Sequence, residues 1–93
     1  MDEFFYRVKV GETLISISDK LKVPPYKIIA DNFLKSEVKA GQVLVIRKLN
    51  RPLYRVKPFD TVKGICARHN LDEKDFIFYN RTDFIYCGIL IYL

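Results

Sequence analysis

The start of the chain has the alternation of apolar and polar residues that is typical of a β-strand with one buried face. The alternating positions are Tyr6, Arg7, Val8, Lys9 and Val10. The pattern predicts a strand over about residues 5–10, with Tyr6, Val8 and Val10 facing the core. The same alternation returns at residues 54–57, where a second strand of this kind is expected.

A short amphipathic helix is predicted directly after this strand. Gly11 allows a sharp turn, and Thr13 can accept a hydrogen bond from the free N–H groups that begin a helix. Leu14, Ile17 and Leu21 follow at helical spacing and form one apolar stripe. The corresponding stripe later in the chain consists of Val62, Ile65, Cys66 and His69. We expect His69 to be a partly buried structural residue.

A second helix and a second strand complete the pattern. The pair Pro24-Pro25 ends the first helix and begins the next, because proline fits the first helical turn. In the later segment, Asp72 is the expected N-cap. Both second helices should end at an asparagine, Asn32 or Asn80, a residue that tolerates the left-handed conformation. A polar loop then leads to a strand at about residues 43–46.

These two sets of elements come from an internal repeat. With an offset of 48, residues 6–32 match residues 54–80 at eight identical positions. The identical residues of the first copy are Tyr6, Arg7, Val8, Lys9, Thr13, Ile17, Ile29 and Asn32. Beyond them the offset falls to 47, which aligns residues 41–46 with 88–93. One unit is used twice, so we predict a first module at residues 1–48 and a divergent second module at residues 49–93.

Two strands that begin and end so small a unit pair most simply with each other. Antiparallel pairing leaves one face for both helices to cover. The predicted fold class is therefore α+β, with two tandem strand–helix–helix–strand modules, each a two-stranded antiparallel sheet covered on one face by two helices. Units this small fold with difficulty alone, so packing between the modules is expected.

Composition and charge exclude several classes of protein. The chain is 49% hydrophobic and 29% charged, as in a globular domain rather than a disordered segment. The net charge is +5, but the basic residues are scattered, so no nucleic-acid partner is predicted. The most apolar run, residues 84–93, is shorter than the roughly 20 residues of a membrane helix, and no membrane partner is predicted.

The residues that carry chemistry do not form a predicted active site. Glu12 and Asp60 are expected in first helical turns, where a negative charge complements the helix dipole, and neither has an obvious carboxylate partner. No nucleophile can be matched to His69. Cys66 and Cys87 are expected to be small buried filler rather than a disulfide or reactive pair. We therefore predict no enzyme, no metal site and no cofactor.

The first module resembles the LysM module, because five sequence blocks occur in the order of that family. These blocks are residues 6–9, residues 11–14, Ile17, Asn32 and residues 41–46. The second module keeps residues 54–58, Asp60, Thr61, Ile65 and Asn80. It departs from the family at Phe59, where LysM modules have glycine, and at Ile89, where they have glutamine.

The resemblance implies non-catalytic binding of glycans that contain N-acetylglucosamine, such as peptidoglycan or chitin. In LysM modules the sugar lies in a shallow groove between the loop before the first helix and the loop after the second. The matching positions of the first module are Gly11, Glu12, Thr13 and Leu14, facing Asn32, Phe33, Leu34 and Lys35. Those of the second are Phe59, Asp60, Thr61 and Val62, facing Asn80, Arg81, Thr82 and Asp83.

Some of these positions have a second interpretation. Phe59 either stacks on a sugar or fills the groove. We favour loss of binding in the second module, because its opposite loop is also one residue shorter, and the first module is the better candidate. Asn32 and Asn80 suit the role of helix-end braces better than that of sugar ligands.

An alternative function is protein–protein assembly, for example in a spore coat or envelope, on a LysM scaffold that has lost glycan binding. The aromatic loop at residues 84–86 and the change at Phe59 would permit a protein partner or a homodimer. The acidic start lacks the features of a secretory signal, so we expect either that the protein stays inside the cell that makes it or that a signal was trimmed. The family implies a cell-wall or spore-associated location, and a spore-associated role is a hypothesis that fits a missing signal.

Overall fold

The computed structural model describes residues 2–93 and contains two units with the same order of elements. The first module consists of β1 (Asp2–Arg7), α1 (Leu14–Leu21), α2 (Pro25–Asn32) and β2 (Val43–Lys48). The second consists of β3 (Leu53–Arg55), α3 (Val62–Arg68), α4 (Glu73–Asn80) and β4 (Leu90–Tyr92). β1 pairs antiparallel with β2, and β3 pairs antiparallel with β4. The predicted α+β fold is confirmed.

β1 lies earlier in the chain than the alternation predicts. It pairs with β2 from Asp2 opposite Lys48 to Arg7 opposite Val43. Val8 is buried as predicted, but the side chain of Val10 is 90% exposed. The chain turns before Val10, because the Glu12 N–H donates to the Lys9 carbonyl at 3.1 Å. The prediction that Val10 faces the core is therefore wrong.

The predicted helix starts are confirmed. The side chains of Thr13 and Thr61 cap α1 and α3 by accepting the N–H three residues further on, at 3.1 and 3.0 Å. The side chain of Asp72 caps α4 by accepting the Lys74 N–H, two residues further on, at 2.8 Å, and α2 begins at Pro25. Each of these starts is set by residues close in sequence, which is why the pattern could locate them.

α2 and α4 end at Asn32 and Asn80 as predicted, but neither asparagine is the left-handed residue. The left-handed residues are Phe33 (φ 54°) and Arg81 (φ 58°), each directly after the asparagine that was expected to take this conformation. Asn32 and Asn80 remain helical. The Asn80 side chain donates to the carbonyls of Phe76 and Tyr92 and accepts from the Tyr92 N–H, at 2.6 to 3.0 Å. Asn32 makes the same three bonds to α2 and β2, so both asparagines tie a helix to a strand.

Each module has its own apolar core. Ile17 and Ile65, at matching positions of α1 and α3, are both fully buried. Cys66 is buried filler as predicted, whereas Cys87 is exposed, and both are free thiols. His69 is also exposed and packs edge-on against the Tyr54 ring, so the prediction of a partly buried histidine is wrong. His69 ends α3 instead of continuing its stripe, which explains the exposure.

The two modules pack against each other. The Tyr26 ring contacts the core of the second module and lies edge-on to Phe84, with 6.4 Å between ring centroids. Arg81 of the second module donates to Asp31 of the first at 3.2 Å. Asp31 also pairs with Lys27 at 2.6 Å, and both of these side chains are buried. A buried carboxylate thus holds one cation from each module.

Candidate functional site

The loop between β1 and α1 is held from inside by the carboxylate of Glu12. The Tyr6 hydroxyl donates to this carboxylate at 2.7 Å, and the Lys9 N–H donates to it at 2.8 Å. The Tyr6 hydroxyl, followed by the Lys9 N–H, lowers the pKa of Glu12. Glu12 lies before the helix rather than in its first turn, so the prediction that it serves the α1 dipole is wrong.

The loop between β3 and α3 repeats this arrangement. The Tyr54 hydroxyl donates to Asp60 at 2.7 Å and the Lys57 N–H at 2.8 Å, and these two donors lower the pKa of Asp60. Asp60 also precedes its helix, which corrects the same prediction. Arg68, which the repeat aligns with Lys20 of the first module, donates to Asp60 at 3.1 Å. In both modules the acidic side chain before the helix, Glu12 or Asp60, therefore shapes the loop.

Gly11 and Phe59 occupy the same left-handed backbone position, with φ angles of 85° and 69°. Glycine adopts this conformation without cost, whereas a side chain is strained there. The Phe59 side chain is fully exposed, at 102%. Its ring points into solvent, so of the two interpretations that the sequence allowed, the ring filling the groove does not describe this structure.

Residues of both predicted walls of the first groove line one cavity, although from the wall at residues 11–14 only Leu14 takes part. Leu14 of one wall and Leu34 and Lys35 of the other line a shared cavity of about 300 Å³. Asn32 and Phe33 line an adjoining cavity of about 490 Å³, which also includes Leu34 and Lys35. The first module therefore has a depression formed by the α2–β2 loop and the start of α1.

The remaining predicted residues have different surroundings. Phe33 is 86% exposed, and Asn32 and Asn80 are the braces described above, Asn80 having no exposed surface. The Arg81 side chain is directed to Asp31 of the first module. Thr82 accepts the Phe84 N–H within its loop. The side chains of Thr13 and Thr61 are helix caps, Leu14 and Val62 pack on their cores, and Asp83 is exposed.

Sequence reasoning missed Glu37. Its Oε1 atom accepts the Leu14 N–H at 2.7 Å and the Val38 N–H at 2.9 Å, so this carboxylate crosses from one groove wall to the other. A single acidic residue in a polar loop has no local signal that distinguishes it from a solvated charge. The contact depends on two segments that are 23 residues apart.

Within residues 2–93, no three His, Cys, Asp or Glu side chains are placed to hold a metal ion. None of the described helices has the length and apolar character needed to cross a bilayer.

Comparisons with known proteins identify the family. Solved structures similar to this chain include the spore cortex-lytic enzyme SleL of Bacillus cereus (21% identity, TM-score 0.48) and that of Bacillus megaterium QM B1551 (26% identity, TM-score 0.49). These alignments cover 100% and 96% of this chain, but the chain spans only 22% of either SleL chain. A search of curated proteins finds no significant match. The sequence model of the LysM domain, a module that typically binds peptidoglycan and other N-acetylglucosamine-containing glycans, matches residues 6–47 and 54–88. The chain therefore belongs to the LysM domain family.

Proposed function

We propose that this chain binds N-acetylglucosamine-containing glycans without catalysing a reaction, and that it serves as an anchoring or adaptor module. The observation that carries the proposal is the cavity lined jointly by Leu14, Leu34 and Lys35. This cavity joins the start of α1 to the loop that follows α2. A shallow open depression suits one sugar face of a long polymer.

The chemistry of the groove fits an acetylated amino sugar. An acetamido group presents one hydrogen-bond donor, one acceptor and a methyl group, which main-chain groups and an aliphatic wall can satisfy together. Leu14 and Leu34 supply such a wall. Gly11 has no side chain, and open space surrounds its Cα, so a ligand can approach the main chain there. The exposed ring of Phe33 offers a flat surface for a pyranose ring.

The proposed sites retain all sixteen positions given by the resemblance, but with divided roles. Glu12, Asp60, Asn32, Asn80 and Arg81 act by shaping the loops and the module interface, because their charged or amide groups already have protein partners. Direct sugar contact falls to the main chain and to the remaining side chains. In the first module these are Thr13, Leu14, Phe33, Leu34 and Lys35, and in the second Phe59, Thr61, Val62, Thr82 and Asp83.

Retention on insoluble peptidoglycan and chitin tests this function. We expect binding that persists at high salt, since it rests on hydrogen bonds and apolar contact rather than on the +5 charge. Phe33→Ala should weaken retention, whereas the matched control Phe78→Ala, an exposed ring on α4, should not. Retention that disappears at high salt, or equal loss in both variants, would contradict the proposed site.

A second candidate function is protein–protein assembly, which one observation favours. Phe5, Phe78 and Phe84 lie outside the proposed grooves and are 75%, 72% and 57% exposed, so their rings are available for apolar contact with a partner. Assembly predicts that sedimentation velocity detects a dimer whose fraction rises with concentration and falls in Phe78→Ala. A monomer at all concentrations, together with glycan retention, would exclude self-assembly.

A further inference from the structure

The first groove already contains a side chain that makes the contact expected of a ligand. The Glu37 Oε1 atom lies 2.7 Å from the Leu14 nitrogen, across the groove, and 2.9 Å from the Val38 nitrogen. Leu14 is the first residue of α1, where N–H groups have no partner within the helix. An N–H that faces the groove is therefore occupied by a carboxylate of the same chain.

We infer that Glu37 competes with the acetamido group of a bound glycan and so sets the affinity of the first module. The inference rests on the proposed glycan-binding function and deepens it. A carbonyl oxygen and a carboxylate oxygen accept the same hydrogen bond, but a charged acceptor binds an N–H more strongly than a neutral one. A glycan that uses the Leu14 N–H must first displace Glu37.

The surroundings of Glu37 allow this displacement. The residue is exposed, so moving its side chain into water uncovers little apolar surface. Among residues 2–93, no lysine, arginine or histidine nitrogen lies within 4.0 Å of its carboxylate. Its protein hydrogen bonds are therefore the two from Leu14 and Val38, one of which is made within its own loop.

The second module has no such occupant. The offset of 47 that aligns Gly41 with Gly88 places Phe84 opposite Glu37. The Phe84 ring packs on Tyr26 and on Tyr86, and a phenyl group cannot accept the bond that Glu37 accepts. Within the part of the chain that the structure describes, the Val62 N–H, which corresponds to that of Leu14, has no protein acceptor. Competition by a carboxylate is thus a property of the first module alone.

Removing the carboxylate tests the inference in the full chain. Backbone amide NMR shifts are followed while an N-acetylglucosamine pentamer is titrated into the wild type, Glu37→Ala and Glu37→Gln. In the first module, affinity should rise about tenfold in Glu37→Ala. The increase should be smaller in Glu37→Gln, which keeps a neutral acceptor. Residues of the second module should report an unchanged affinity in every variant.

Two controls separate this effect from others. Glu3→Gln removes the same charge from β1, where Glu3 pairs with Arg47, and should leave the affinity unchanged. Hydrogen exchange at the Leu14 amide should be faster in Glu37→Ala, which verifies that the contact existed in solution. Exchange at the buried amides of the helices and strands should be unchanged, which verifies that the rest of the fold is retained.

The outcomes distinguish competition by Glu37 from glycan binding itself. Unchanged or lower affinity of the first module in Glu37→Ala, with a wild type that binds, would overturn competition by Glu37 and leave glycan binding intact. Absence of binding in the wild type and in all variants would overturn both. Equal increases in Glu37→Ala and Glu3→Gln would assign the effect to net charge and so overturn the specific role of Glu37.

Discussion

The hydroxyl group of Tyr6 lies 2.7 Å from the carboxylate of Glu12. The aligned residues of the second module form the same pair, with the hydroxyl of Tyr54 2.7 Å from the carboxylate of Asp60. Each pair joins a strand to the loop that follows it. Both copies of the repeat thus contain this tyrosine–carboxylate hydrogen bond, here called the polar lock, beneath one wall of each groove. The exposed groove residues differ between the two copies.

The first lock should make stability depend on pH. The pKa of Glu12 is lowered from its ordinary value of 4.5, chiefly by the Tyr6 hydroxyl. A lowered pKa in the folded state contributes stability above about pH 4.5, and this stability is lost as the pH falls through the folded value. Tyr6→Phe removes the largest cause. It should lower the melting temperature at pH 7 by more than at pH 3, as measured by circular dichroism. An equal decrease at both pH values would contradict the lock.

The matching core isoleucines should contribute equally to their modules. Ile17→Ala and Ile65→Ala each remove a fully buried side chain and should lower the free energy of unfolding by about 2 to 5 kcal/mol. Ile15→Ala is the control on the same helix, because Ile15 is about half exposed, and should cost about 1 kcal/mol or less. Urea titration monitored by circular dichroism gives these values. Similar losses for Ile15 and Ile17 would contradict the described helix face.

Asn80 should matter more for stability than Asn32. Asn80→Ala leaves the buried N–H and carbonyl of Tyr92 without their side-chain partner, which should cost about 3 kcal/mol. Asn32 makes the same bonds to Val45 but is only partly buried, so water can replace part of what Asn32→Ala removes. Urea titration of both variants measures the difference. If Asn32→Ala is the more destabilising, burial does not govern the cost.

These examples also separate what the sequence could predict from what it could not. The Thr13 and Thr61 caps depend on neighbours three residues away, and the repeat places the same cap once in each module, so they were predictable. The Glu37 contact and the bridge from Arg81 to Asp31 join distant segments, and no local pattern encodes such a pairing. β1 was misplaced because alternation continues through Val10, whereas the turn closed by Lys9 and Glu12 ends the strand earlier.

The groove was predicted only in part, for a similar reason. The family motif assigns both walls to positions in the sequence, but it gives no rotamers. Whether Phe59 fills its groove or stands in solvent depends on its side-chain direction, and whether an asparagine binds sugar or braces a strand depends on the depth to which it is buried. Both are properties of the packed structure.

The buried ion pair at the module interface should be sensitive to loss of one partner. Asp31→Asn leaves Lys27, which is 5% exposed, without a counter-charge and should cost about 3 to 5 kcal/mol. Asp19→Asn is the control, because it removes the salt bridge between Asp19 and Arg55. Both of these side chains are about half exposed, so the change should cost under about 1 kcal/mol. Thermal unfolding of the two variants measures both effects, and equal costs would contradict the burial of Lys27.

The most direct test of glycan recognition is titration of the wild-type chain with an N-acetylglucosamine pentamer while the backbone amide NMR shifts are recorded. The account predicts saturable shift changes at the facing loops of the first module, residues 11–14 with 32–37, and confines any change in the second module to residues 59–62 and 80–83. Unmoved loop amides at saturating pentamer, or changes restricted to the strands and to the exposed rings of α4, would contradict it.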